Sequence, residues 1–176
     1  MRIMDIVPSS SNTMHGFGRR RGFWLMESAL AIAIIGIGVV AAVGSQQAWH
    51  IQALMSERLA TGMRLAIEIR ELTLLLPAND PVTGGATWGI EVGETMPNDL
   101  DDLDDLDGIM FSDPIDATKS TIEGMPGWSQ QVTVQCVDPF DVRQEIADGS
   151  SKIVLIEVTV LLNEDEITRL SWIAPR

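Results

Sequence analysis

The apolar positions of this chain obey three different rules in turn. From Phe23 to Val43 the sequence is apolar almost throughout, and Glu27 is its one charge. From Gly44 to Leu76 the apolar residues thin out. Ile51, Met55, Leu59, Met63, Ala66, Ile69, Leu72 and Leu76 recur in steps of three and four, while Glu57, Arg64, Glu68 and Glu71 fall on another side. That is the pattern of an amphipathic helix. From Trp128 the period becomes two. Val132, Val134 and Cys136 alternate with Gln131, Thr133 and Gln135, and Val154, Ile156, Val158, Val160 and Leu162 share one face of a second run. Period two is the pattern of half-buried strands.

These rules predict few elements. No proline stands between Pro8 and Pro77, so the first two patterns read as one helix from Phe23 to Leu76, ended by Pro77. At 1.5 Å per residue such a helix is about 80 Å long, and its apolar first part covers about 30 Å, one hydrocarbon core. Strands are expected over 128–137, 153–162 and 167–173, the last with Leu170 and Trp172 on one face. Asn163-Glu164-Asp165-Glu166 is read as the hairpin loop between the second and third. Three antiparallel strands need something to cover their apolar face, and the amphipathic half of the helix is the natural cover. Residues 77–127, rich in proline and glycine, read as loop. The expected fold is α+β: a long N-terminal helix, membrane-spanning in its first half, packed on a small antiparallel sheet. The segments are a leader at 1–22, an apolar helix half at 23–43, an amphipathic half at 44–76 and a head at 77–176.

Charge separates these segments further. Residues 1–22 hold four arginines and one aspartate, +3; residues 23–76 carry −1; residues 77–176 carry 20 acids and five bases, −15. A basic end followed by an apolar span favours a cytoplasmic N-terminus. The acidic head excludes nucleic-acid binding, which needs an excess of Lys and Arg, and disfavours anionic lipid surfaces.

Catalysis finds little footing. The histidines are His15 and His50, the single cysteine, Cys136, sits in phase with a buried strand face, and no catalytic triad or zinc spacing can be assembled. We therefore expect no enzyme. Trp88, Trp128 and Trp172 are expected to fill the small core. The one unusual polar segment is 99–107, three copies of Asp-Leu-Asp before Gly108. Calcium takes six to eight oxygen ligands, often from one such loop, so Asp101, Asp102, Asp104, Asp105 and Asp107 are candidate calcium ligands. The EF-hand pattern does not fit, because Leu103 stands where its first aspartate belongs. The alternative is a solvated acidic loop whose Leu100, Leu103 and Leu106 touch the core. No cofactor is required by either reading.

Arg19-Arg20-Arg21-Gly22, followed by Phe23, Glu27 and the apolar run, closely resembles the class III leader of type IV prepilins and type II secretion pseudopilins. Ala31 to Gly38 looks most like minor pilins and minor pseudopilins. The resemblance extends to the long helix and, more weakly, to the C-terminal strands. It implies that a prepilin peptidase cuts after Gly22 and methylates the new amine of Phe23. It also implies that Glu27 meets a neighbouring subunit's amine during assembly. The chain departs from the family at Trp24, where threonine is usual, and at Gly44, where a proline is usual. The implied function is structural: a subunit, of the minor kind, of a type IV pilus or a type II secretion pseudopilus. Its partners would be the peptidase, other pilin or pseudopilin subunits, the inner-membrane assembly machinery and the lipid bilayer. It would sit as a single-pass inner-membrane protein with a periplasmic head, and then in a periplasmic or cell-surface filament. The alternative is a membrane-anchored or secreted binding module, released by a cut near Ala41-Ala42-Val43-Gly44 or retained by an uncleaved anchor, whose acidic loop holds calcium or another ligand.

Overall fold

A computed structural model describes residues 21–82, 84 and 87–176, with side chains described from Trp24 onward. The expected leader at 1–22 therefore lies almost wholly outside the described residues. The chain divides into two units, Met1–Ile51 and Gln52–Arg176. One helix, α1 (Arg21–Thr73), runs through both. The rest of the second unit is a long loop with a 3₁₀ turn at Asp104–Leu106, then β1 (Met110–Phe111), β2 (Trp128–Asp138), β3 (Asp141–Glu145), β4 (Ile153–Leu162) and β5 (Asp165–Pro175). The fold is thus α+β, a long N-terminal apolar helix with a small antiparallel sheet.

The sheet order is β1-β2-β4-β5, and β3 folds back on β2 as a hairpin. The register places Val132 opposite Val158 and Val134 opposite Ile156, and across the next ladder Val158 opposite Leu170 and Ile156 opposite Trp172. Period-two patterning on each strand therefore builds one continuous apolar face. Against it lie Leu65, Ala66, Ile69 and Leu72 of α1, together with Leu100, Leu103 and Leu106 of the loop, all buried.

Three expectations need correction. The helix stops at Thr73, four residues before Pro77, because Leu74 and Leu75 bond back to the carbonyls of Glu71 and Leu72 in a tightened last turn. Ile51, Met55, Leu59 and Met63, expected on the packed face, are exposed. The sheet face is already filled by the last turns of α1. Its packing begins at Gly62, where an added Cβ would stand 3.0 Å from Thr168 Cγ2 and 3.2 Å from Ile167 Cγ2. The hairpin between β4 and β5 is also tighter than expected. Only Asn163 and Glu164 form the turn, both at positive φ (51° and 72°), the geometry that matches the twist of paired strands. Asn163 donates its N–H to Gly127 O at 2.8 Å, and a Cβ on Gly127 would press on the Asn163 side chain. The positive φ of Gly127 (78°) is what favours glycine there. The sequence pattern also missed β1, a two-residue strand, and β3, whose residues are all exposed.

One buried polar side chain ties the layers together. Gln130 is in phase with the core face of β2 and fully buried. Its Oε1 accepts from Ile115 N at 2.8 Å, and its Nε2 donates to Leu65 O at 2.9 Å and Ile115 O at 3.1 Å. Helix, loop and sheet meet on this amide. A buried group stranded without its partner costs about 1–3 kcal/mol. Gln130→Leu should therefore lower the unfolding free energy of the full chain by about 2–4 kcal/mol, measured by denaturant titration in detergent, whereas Gln131→Leu on the exposed face should change it by less than about 0.5 kcal/mol.

Candidate functional site

The described residues present two chemically unusual regions. The first is the N-terminal part of α1, long and apolar enough to cross a membrane and unburied. Trp24, Leu25, Met26, Ile32 and Ile35 are all exposed. The polar side chains here are handled locally. Ser28 Oγ donates to Trp24 O and Ser45 Oγ to Ala41 O, each at 2.9 Å, which hides a hydroxyl inside its own helix. Glu27 has no such outlet: it is exposed and has no hydrogen bond or ion pair among the described residues. Gly22 and Phe23 lie in the backbone of α1, where their side-chain surroundings fall outside the described residues.

The second region is the acidic segment, which the fold uses carboxylate by carboxylate. Its three leucines, three residues apart, are buried, so the aspartates between them are drawn in as well. Asp102, Asp104 and Asp105 are almost completely buried. Asp102 Oδ1 accepts from the N–H groups of Asp104 and Asp105 at 3.1 and 3.2 Å, capping the 3₁₀ turn. Asp107 joins loop to sheet: Oδ1 accepts from Val134 N at 2.9 Å and Oδ2 from Trp88 Nε1 at 3.2 Å. Asp104 Oδ2 takes Gly89 N at 3.3 Å and faces the largely buried guanidinium of Arg176 at 3.8 Å. That guanidinium also lies over the ring of Trp88, 4.9 Å from its centroid. Burial pushes the Asp102 carboxyl up to about 7. The N–H of Asp105 opposes the rise, and the charges of Asp104 and Asp105 add to it.

Asp105, like Asp104, is bonded through one oxygen only. Its Oδ2 accepts from Asp101 N at 3.0 Å and Asp102 N at 3.5 Å, while its Oδ1 is buried with no partner. One carboxylate oxygen from each of Glu91, Glu94 and Asp105 falls within 4.8 Å of the others. Asp101 adjoins the group. Its carboxyl is raised by burial and then by the charges of Asp80, Glu94 and Asp105, with Lys119 opposing. Glu94 is raised too. The hydrogen bond from Glu91 N pulls it down, but desolvation and the charges of Asp105 and Glu91 outweigh that.

Of the five aspartates singled out in sequence, the structure brings Asp105 into this group and places Asp101 beside it, while Asp102, Asp104 and Asp107 hold the loop together. Glu91 and Glu94 were not anticipated. They face each other across a tight turn, with Glu94 N bonded to Glu91 O at 3.3 Å and Glu91 N to Glu94 Oε2 at 2.9 Å. The available signal was two glutamates three apart in a loop rich in glycine and proline. Cys136 is buried in the sheet and His50 is exposed on α1, so neither adds a softer ligand.

Comparison with family models, with curated proteins and with solved structures gives no match. Local chemistry therefore carries the reading. Asp107→Ala removes the acceptor shared by Val134 N and Trp88 Nε1. It should destabilise the full chain by about 1.5–3 kcal/mol, the range for bonds to a charged group, whereas Asp113→Ala on the exposed loop should be nearly silent in the same unfolding assay.

Proposed function

We propose that this chain is a pilin-like structural subunit of the minor kind, anchored in a membrane by the first half of α1 and assembled into a type IV pilus or a type II secretion pseudopilus. The observation that supports this best is Glu27. A carboxylate with no partner on an exposed apolar helix costs at least a few kcal/mol in hydrocarbon, so an anchor alone would do better without it. Cleavage after Gly22 creates a charged amine at Phe23, one helical turn away. A carboxylate in the first turn also offsets the positive end of the helix dipole. In an assembled filament the amine of a neighbouring subunit is the matching cation.

Two further observations agree with this reading. Ala33, Gly36, Ile37, Val40 and Ala41 line one apolar stretch of helix surface, and small residues of this kind let helices approach closely in a lipid-like medium. In the second unit Leu54, Met55, Leu59 and Met63, which the head leaves exposed, give neighbouring helices something to bury. The competing reading is a membrane-anchored binding module, in which Glu27 has no role in assembly.

Mass spectrometry of the mature protein separates the two. The filament reading expects an N-methylated N-terminus at Phe23. A start near Ser45, or an intact Met1, overturns it. Glu27→Ala should reach the membrane at normal levels yet enter filaments about tenfold less or worse, equivalent to ~1.4 kcal/mol or more of lost assembly energy. Unchanged incorporation would remove Glu27 from the mechanism.

A further inference from the structure

We propose that the free edge of β5, from Arg169 to Pro175, binds an extended segment of a different protein as an added strand, with apolar side chains seated in the cavity beside Trp172 and a carboxylate on Arg70. The inference concerns the second unit alone and does not depend on the filament reading.

The backbone is the first argument. β5 is the last strand of the sheet and pairs with β4 only. Arg176 donates its N–H to Lys152 O at 2.7 Å, continuing the register in which Pro175 faces Ile153. Facing residues of an antiparallel ladder alternate between bonded and unbonded pairs. Ala174 and Trp172 therefore bond to β4, while Ile173, Ser171 and Arg169 direct N–H and C=O outward. Among the described residues no other segment takes these groups. The opposite edge is blunted: β1 has two residues, and β3 is short, exposed and charged at Asp141, Arg143 and Glu145. Folded proteins disarm edges in this way. Leu170 to Ala174 carries no charge, no proline and no bulge.

A cavity beside the same stretch is the second argument. Between the end of α1 and the end of β5 lies a space of about 250 Å³, with Arg70, Leu74, Leu76, Leu103, Trp172 and Pro175 in its wall. Trp172 Nε1 is buried with no acceptor, although buried indole N–H groups usually find one. The Arg70 side chain is exposed and has no hydrogen bond or ion pair among the described residues. An apolar wall with one spare donor and one spare cation suits an apolar side chain near an acidic one. Residues i and i+2 of a strand share a face, so a guest can present both to the α1 side. Charge decides against a second copy as the guest. Residues 77–176 hold 20 acids and five bases, −15, so two heads repel, and β5 has no acid beyond Glu166 to meet Arg70. A guest uncharged apart from its one carboxylate avoids that repulsion.

The test titrates the full-length chain in detergent with the peptide acetyl-Thr-Val-Thr-Leu-Thr-Glu-Thr-amide, read by NMR hydrogen exchange. Binding should have a Kd of about 1 mM or tighter. Peptide at about ten times Kd should slow exchange of the Ser171 and Ile173 amides about tenfold. Ser171→Pro removes an outward N–H that the ladder does not use. It should keep the parent's Tm within about 3 °C and weaken the peptide at least about tenfold. Ile173→Lys places a charge on the edge and should weaken the peptide equally with no change to the backbone. Arg70→Glu should reverse the preference, so that a peptide with lysine in place of glutamate binds more tightly than the original. The proposal is overturned if both amides stay unprotected at about 10 mM peptide, or if Ile173→Lys binds as the parent does. It is equally overturned if Arg70→Glu keeps the preference for the glutamate peptide. A dimer of the parent that Ile173→Lys abolishes would give the edge to a second copy and overturn the assignment to a different protein.

Discussion

The second unit depends on the packing of the last turns of α1 against one face of the sheet. β2, β4 and β5 offer a continuous apolar face, and three strands cannot stay folded in water with that face bare. Leu65, Ala66, Ile69 and Leu72 cover it and are completely or almost completely buried. Gly62 lets the helix come close enough for those contacts to form. The main-chain polar groups that this approach buries are met by Gln130, which reaches Leu65 and Ile115 together. Apolar burial supplies the drive, and one amide settles the register between layers.

The same contact dictates what the acidic segment can be. Leu100, Leu103 and Leu106 complete the core, and a leucine every third residue leaves no room for the intervening aspartates to escape into water. Their charge is met locally by backbone N–H groups, by Trp88 and by Arg176. Capping and bridging engage Asp102, Asp104 and Asp107. Asp101, Asp104 and Asp105 each keep one buried oxygen without a hydrogen bond, and a carboxylate oxygen of Asp105 lies within 4.8 Å of Glu91 and Glu94.

Much of the fold is legible in the chain because its periods are clean. The change from period 3.6 to period two locates α1 and the long strands, and β4 begins and ends where the alternation does. What the pattern could not give was set by tertiary context. A two-residue strand such as β1 carries no period. The end of packing at Gly62 depends on the size of the sheet, which the helix sequence does not encode. The tight Asn163–Glu164 turn depends on φ values that asparagine tolerates but does not announce. Gln130 was readable as a polar residue in phase with Val132 and Val134, a mismatch that marks either an error of phase or a buried network. At the acidic segment, composition located the charge, but only the fold could sort the carboxylate oxygens that cap and bridge from those left open. Glu91 and Glu94 lie more than ten residues from Asp105, beyond the reach of local spacing.

The two halves of α1 pose opposite solvent problems within one secondary-structure element. In its last turns the helix has a narrow buried face and charged flanks, and Glu68 Oε2 accepts from Ala117 N at 3.1 Å to hold the following loop. In its first turns it is apolar on every side, a distribution with no inside of its own. Such a surface is stable only in lipid or against other apolar helices. The buried carboxylates of Asp102, Asp104 and Asp105 accept from backbone N–H groups of the chain itself, and Asp104 also faces a guanidinium. Among the described residues Glu27 has neither, and backbone N–H groups cannot serve it, because those of a continuous helix are already committed beyond the first turn. On the filament reading proposed above, the matching cation is the amine of a processed helix end.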